Sequence, residues 1–345
     1  MEKGYPNAWQ YSPGTSAVMA NAQIQKAIES GAAFAHKTED GQTIIEYKEG
    51  GTWFIVPDYP ETPAIPTAMM GAICGDVAGS VYEHHNIKYR LDEDRLIHPK
   101  ARFTDDTVMT CAVAEGIHTA LSHLPKNWTA YPDAESIIYE QISSHLHSVG
   151  RKYPRAGYGR SFLNWLASFD RQPYNSWGNG SAMRASYAGW IASSLEEAEK
   201  LGEISAKVTH NHPEGIKGAV AVAGCIYMLR SGADKKAIYQ YASSFYNLDF
   251  SLDEIRDTYS FDVSCMGSVP QAIRAFLEGE SFSDVISRAI SIGGDSDTIA
   301  AIAGSLAEVI YPIPQKLRGS VIDRLDQFLL DTIRAAVDFA HLRHS

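Results

Sequence analysis

Two short runs hold most of the oxygen chemistry in this sequence. Phe103-Thr104-Asp105-Asp106-Thr107 precedes the helical stretch Val108–Leu121, and Gly293-Gly294-Asp295-Ser296-Asp297-Thr298 precedes another at Ile299–Tyr311. Each has an ordinary reading: Thr104 suits an N-cap, and acids in a first turn meet the positive end of the helix dipole. Each also offers paired carboxylates beside a hydroxyl, hard ligands suited to Mg2+ or Mn2+. An EF-hand is excluded, because counting from Asp295 puts Ile299 and Leu306 where ligands belong. Together Thr104, Asp105, Asp106, Asp295, Asp297 and Thr298 could hold two metal ions roughly 3.5–4 Å apart if the fold brings the runs together. Clustered carboxylates without a metal would repel one another, so a shared cation is the natural resolution.

Three further motifs accompany them. Gly71, Gly75 and Gly79 recur every fourth residue, on one face of a predicted helix that ends near Glu83. Glycine costs about 1 kcal/mol in a helix interior, so close helix packing is the expected compensation. Glu83 is a candidate base or further ligand. Gly178-Asn179-Gly180-Ser181 follows Trp177 and reads as the opening of a helix, whose free N–H groups make an anion site, or as a plain glycine-rich turn. Thr209-His210-Asn211-His212-Pro213 places two histidines at i and i+2, with no third ligand at zinc spacing. A single histidine that stacks on or hydrogen-bonds to substrate fits that run better, and a turn before a helix at Gly215 is the plain alternative. Gly157-Tyr158-Gly159-Arg160 lacks the strand and helix context of a dinucleotide fingerprint.

The elements that must position these groups are nearly all helices. Apolar periodicity predicts them over Met69–Tyr82, Asp105–Leu121, Asp133–Val149, Ala185–Leu201, Gly215–Leu229, Lys235–Tyr246, Pro270–Leu277, Asp284–Ser291, Asp297–Tyr311 and Gln315–Leu342. No convincing strand follows residue 67. Upstream, residues 1–14 read as a flexible arm and Thr15–Ala35 as a helix. Thr43–Lys48 and Thr52–Val56 form a predicted hairpin around Glu49-Gly50-Gly51. Pro57, Pro60, Pro63 and Pro66 mark a linker. The expected organisation is an α+β extension over 1–66 followed by an all-α domain over 67–345.

Composition narrows the function classes. The 345 residues are 45% hydrophobic and 21% charged, which excludes a disordered or fibrous chain. A net charge of −11 repels nucleic acid and anionic lipid, so neither is an expected partner. Residues 1–65 are more acidic still, with four basic and eight acidic side chains. Cys74, Cys111, Cys225 and Cys265 are too scattered for a disulfide scaffold or a zinc site and read as reduced core residues. The longest apolar run, Ala219–Leu229, is too short to span a bilayer, and the first residues carry no apolar signal segment. The expected location is the cytoplasm.

The motifs occur in one order: Gly75-Asp76 to Glu83, Phe103–Thr107, Gly178–Arg184, Thr209–Pro213 and Gly293–Thr298. This set resembles the ADP-ribosylglycohydrolase family, the relatives of dinitrogenase reductase-activating glycohydrolase, over roughly residues 67–342. The resemblance implies an all-α, orthogonal helical domain with a binuclear Mg2+ or Mn2+ centre that removes ADP-ribose from modified side chains, arginine first. It implies metal ligation by Thr104, Asp105, Asp106, Asp295, Asp297 and Thr298. It implies catalytic work by Asp105, Asp106 or Glu83, unranked, and substrate contacts by Gly178, Asn179, Gly180, Ser181 and His210. The extension sets the chain apart from ordinary members and resembles that of bacterial immunity proteins. Its acids, with Tyr5, Trp9, Tyr11 and Trp53, fit a plug for the cleft of an ADP-ribosyltransferase toxin; a tail that caps its own domain is the plain alternative. Two other readings stay open. One is a non-catalytic toxin inhibitor or ADP-ribose-binding module; the other is a hydrolase of serine-linked or small-molecule ADP-ribose.

Overall fold

The computed structural model describes the backbone of residues 33–37, 43–49 and 52–57, together with residues 68–344. The chain divides into two units, Met1–Ile65 and Pro66–Ser345.

In the first unit three strands form an antiparallel sheet in chain order: β1 (Ala33–Lys37), β2 (Thr43–Glu49) and β3 (Thr52–Pro57). Glu49 pairs with Thr52, the register expected of the predicted hairpin. Ala33 pairs with Tyr47 and Lys37 with Thr43. This corrects the end of the predicted Thr15–Ala35 helix. Alanine favours helix locally, and pairing of Ala33, Phe34 and Ala35 with Tyr47, Glu46 and Ile45 overrides that preference. The rest of that helix, the arm over 1–14 and most of the proline-rich linker lie outside the described residues.

The second unit is helical. Its helices are α1 (Met70–Gly79), α2 (Asp105–His123), α3 (Ala134–Lys152), α4 (Arg160–Ala167), α5 (Ser186–Ile191), α6 (Leu195–Lys207) and α7 (Pro213–Arg230). They continue with α8 (Lys235–Ala242), α9 (Leu252–Ile255), α10 (Cys265–Glu278), α11 (Phe282–Ser291), α12 (Ser296–Ile310), α13 (Gln315–Ile322) and α14 (Gln327–His344). Among the described residues after 67, the only paired extended backbone is an isolated bridge between Gly178 and Ser264. Two predicted helices are each broken in two. Ser194 accepts from Glu197 N–H and caps α6, which ends the Ala185–Leu201 run; Asp326 Oδ1 accepts from Leu329 N–H and restarts the chain as α14. The helix predicted at Pro270 begins earlier, at Cys265, under a cap from Ser264.

The glycine stripe does what close packing requires. A Cβ on Gly75 would overlap the Ala300 carbonyl, one on Gly71 the Gly304 carbonyl, and one on Gly79 the backbone of Ser296 and Asp297. Helices α1 and α12 therefore touch backbone to backbone, which fixes the start of α12 against the end of α1. All four cysteines are buried and free. No described helix is long and apolar enough to cross a membrane.

Candidate active site

The two Asp–Thr runs open α2 and α12, and the fold brings those helix starts together. Thr298 Oγ1 donates to Asp106 Oδ2 at 3.2 Å, joining residues 192 apart in the chain. Asp106, Asp297 and Asp295 are buried, while Asp105 is half-buried. Asp106 Oδ1 is buried with no hydrogen-bond partner. Thr104 caps α2, accepting from Asp106 N–H at 3.3 Å. Ahead of α12, Gly293 and Gly294 have φ of +70° and +76°, a left-handed turn that side chains resist. Gly294 N–H donates to Asn86 Oδ1 at 2.6 Å, which anchors that turn. Glu83 stands in the turn after α1, because the chain leaves α1 at Gly79, three residues before the predicted end at Tyr82.

Asp76, on α1, is the residue the sequence reading left unassigned. Its side chain has no exposed surface. Thr104 donates its N–H to Oδ2 at 2.9 Å and its hydroxyl to Oδ1 at 2.7 Å. Thr107 donates its N–H to Oδ2 at 3.1 Å and its hydroxyl to the same oxygen. One carboxylate thus closes the start of α2 from outside and fixes Asp105 and Asp106 between its two anchor points. The signal was present: Asp76 is the single charged residue in the apolar helix Met70–Gly79.

The glycine-rich loop meets the same cluster. Asn179 Nδ2 donates to Asp295 Oδ2 at 2.7 Å and to Ser268 Oγ at 2.9 Å. Ser181 is buried and donates its hydroxyl to the Gly215 carbonyl at 2.6 Å. Both side chains are therefore engaged within the protein, and Gly178 and Gly180 form the open part of the loop. The predicted helix start here is corrected. Asn179–Ser181 is a single 3-10 turn, and its Asn179 N–H is taken by the Val263 carbonyl at 2.7 Å.

His210 packs on that loop: a Cβ on Gly180 would stand 3.1 Å from its Nε2. Its Nδ1 lies 2.7 Å from Thr209 Oγ1, which accepts from the buried Arg184 guanidinium at 2.8 Å. The ring is thereby held on one side by Thr209, with Nε2 facing the loop. Burial, then the Arg184 charge, holds His210 well below its usual pKa, so the ring is neutral. His212 is not part of the site: its Nδ1 accepts from Glu214 N–H at 3.1 Å and caps α7.

A sequence profile described as ADP-ribosylglycohydrolase matches residues 64–343. The chain belongs to this family. It is therefore a glycohydrolase. Mouse ADP-ribosylhydrolase ARH3 is 24% identical over 322 residues, covering 72% of this chain and 83% of the relative. ADP-ribosylarginine hydrolase Tri1 of Pseudomonas putida (strain GB-1) is 24% identical over 267 residues, covering 71% of this chain and 70% of the relative. A solved structure described as an ADP-ribosylglycohydrolase-related protein complex superposes with a TM-score of 0.54 at 19% identity, over 81% of this chain and 99% of that one, which supports the fold.

In this glycohydrolase the acidic cluster is electrostatically strained. Burial and then the charge of Asp76 push Asp105 up to about 7. Asp106 is driven well above its usual range by burial, then by Asp76 and Asp105. Asp297 is driven up by burial, then by Asp295 and Asp106. Glu83 is raised by burial and then by Asp295, which places it at the same cluster. Among the described residues, no three acidic, histidine or cysteine side chains already close into a cage. The donor set nonetheless fits a hard divalent ion: carboxylate and hydroxyl oxygens, mutual repulsion that a cation relieves, and the unpartnered Asp106 Oδ1.

Proposed function

We propose that this glycohydrolase cleaves the bond between ADP-ribose and a modified protein side chain, arginine first, with two divalent ions, Mg2+ or Mn2+, held by Thr104, Asp105, Asp106, Asp295, Asp297 and Thr298. The observation that carries the reading is the Thr298–Asp106 hydrogen bond, because it joins the two oxygen-rich runs at one place. The relative described as an ADP-ribosylarginine hydrolase favours arginine as the acceptor.

A glycosidic bond of this kind breaks through a cationic, oxocarbenium-like state. Bound divalent ions supply Lewis-acid polarisation and a more acidic water. The protein's own groups do the rest. Asp106 and Asp297, buried, present carboxylate charge to the cationic ribose. Asp105, half-buried against Gly157, and Glu83, in its open turn, are the carboxylates able to take a proton from an attacking water. His210, whose Nε2 faces Gly180, is placed to hydrogen-bond a substrate oxygen held over Gly178 and Gly180. Asn179 keeps Asp295 oriented while this happens.

The test is release of ADP-ribose from an arginine-ADP-ribosylated protein, with Mg2+ and with EDTA, for wild type and for Asp295→Ala/Asp297→Ala. The expected result is metal-dependent release that the double change abolishes. Release only from a serine-linked substrate replaces arginine; no release from either, by a folded protein, overturns the reading.

The acidic, aromatic-bearing extension supports a second element of the proposal, immunity against an ADP-ribosyltransferase toxin, since most of residues 1–66 lie outside the region the family profile matches. Deleting that segment abolishes capture of a cognate toxin if the extension is a plug; unchanged capture refutes it.

A further inference from the structure

Between residues 141 and 195 this acidic chain contains one acid, Asp170, and in the middle of that span stand Arg151, Arg155, Arg160 and Arg171, all exposed. Arg151 lies in the last turn of α3 and Arg160 opens α4. Both Arg151 and Arg171 act on His147, which brings the two ends of the segment to one place. Six arginines elsewhere, Arg90, Arg256, Arg274, Arg288, Arg334 and Arg343, each hold a carboxylate. Among the described residues, none of the four arginines of this segment forms an ion pair. Two apolar side chains, Leu163 and Phe169, are exposed on the same segment.

The location gives the patch a use. Gly157, at φ +121°, lies between Arg155 and Arg160, and a Cβ there would stand 3.0 Å from Asp105 Oδ1. The patch is therefore the rim of the acidic site. A group whose reacting bond reaches Asp105 must have its surroundings over these arginines. Unpaired arginines beside exposed apolar side chains are the composition of a protein-binding surface.

We infer that residues 151–171 form the docking surface for the protein that bears the modified side chain, and that they select modified side chains set in acidic surroundings. The inference rests on the hydrolase reading of the adjoining site. Free arginines also explain how a chain of net charge −11 accepts an acidic partner.

The test compares wild type with Arg151→Glu/Arg155→Glu/Arg160→Glu/Arg171→Glu and with the matching quadruple Gln variant. The substrates are an arginine-ADP-ribosylated peptide flanked by glutamates, the same peptide flanked by glycines, and free ADP-ribosyl-arginine. All four side chains are exposed, and unchanged circular dichroism and melting confirm folding. The expected result is a rise in KM of about tenfold for the glutamate-flanked peptide in the Gln variant and more in the Glu variant, with kcat kept and the other two substrates unaffected. No change, or an equal change on all three, overturns the inference. Binding of the fluorescein-labelled, unmodified glutamate-flanked peptide, read by anisotropy, separates docking from chemistry. Weaker binding by the variants sustains docking even if no substrate is cleaved, and equal binding refutes it. Tighter binding of a single-stranded RNA of matched charge refutes it in favour of a nucleic-acid rim.

Discussion

Asp76 is the residue whose replacement tests how the site is positioned. Asp76→Ala removes the acceptor of two backbone and two hydroxyl donors. The hydroxyls can rotate to other acceptors, but the Thr104 and Thr107 amides are fixed by the start of α2. Two buried amides left unpaired cost about 1–3 kcal/mol each, and the cavity adds to that, so the expected loss is about 3–5 kcal/mol. Asp76→Asn behaves differently. Its carbonyl can occupy the Oδ2 position and keep three donors, while its amide faces Thr104 Oγ1, which can turn to accept. Four bonds to a charge weaken by about 1 kcal/mol each, but a buried carboxylate no longer has to be desolvated, which offsets several kcal/mol. The expected net loss is about 1–2 kcal/mol. Urea unfolding followed by helical circular dichroism measures both. Mg2+ titration of ADP-ribose release on Asp76→Asn then reads positioning: the midpoint rises about tenfold, corresponding to about 1.4 kcal/mol, because Asp105 and Asp106 are less firmly held. If Asp76→Ala unfolds within about 1 kcal/mol of wild type, or Asp76→Asn leaves the Mg2+ midpoint in place, the anchoring argument is wrong.

Two further expectations follow from the same geometry. In EDTA the protein loses stability as pH rises: Asp105 moves from an ordinary 3.8 to about 7, and Asp106 and Asp297 move the same way. A raised carboxylate pKa means that the folded state keeps protons the unfolded state releases, so this contribution is complete below about pH 4 and drains away as pH climbs through about 7. Melting in EDTA at about pH 5 and about pH 8 shows the fall, Mg2+ reverses it at the higher pH, and a melting temperature that climbs across this interval in EDTA contradicts the picture. Gly75→Ala forces a methyl into the Ala300 carbonyl and destabilises by about 3 kcal/mol, whereas Gly319→Ala, on the open face of α13, stabilises by about 0.5–1 kcal/mol; denaturant midpoints of the pair settle whether the stripe is a packing device.

What could be read from the sequence was what local physics decides. Thr104 caps α2 because a hydroxyl before an apolar-periodic run satisfies free N–H groups, and that requires nothing beyond its own turn. The glycine stripe announced a close partner, though not that the partner was α12. The order of the motifs carried the family, and the fold brings the two Asp–Thr runs together at the Thr298–Asp106 bond. What was misread was decided by neighbours distant in sequence. Gly178–Ser181 was open between a helix start and a glycine-rich turn, and the helix start fails because the chain passes between α7 and α10, where the Asn179 and Ser181 side chains turn onto Asp295, Ser268 and Gly215. Asp76 shows the limit most clearly. Its partners lie 28 and 31 residues downstream, and no periodicity connects them. A lone acid in an apolar helix is still informative, because burying a carboxylate without donors costs several kcal/mol. Such a residue must therefore have donors somewhere. The helix start that most needs an acceptor is the one with free amides and a second acidic function to hold in place, which here is the start of α2.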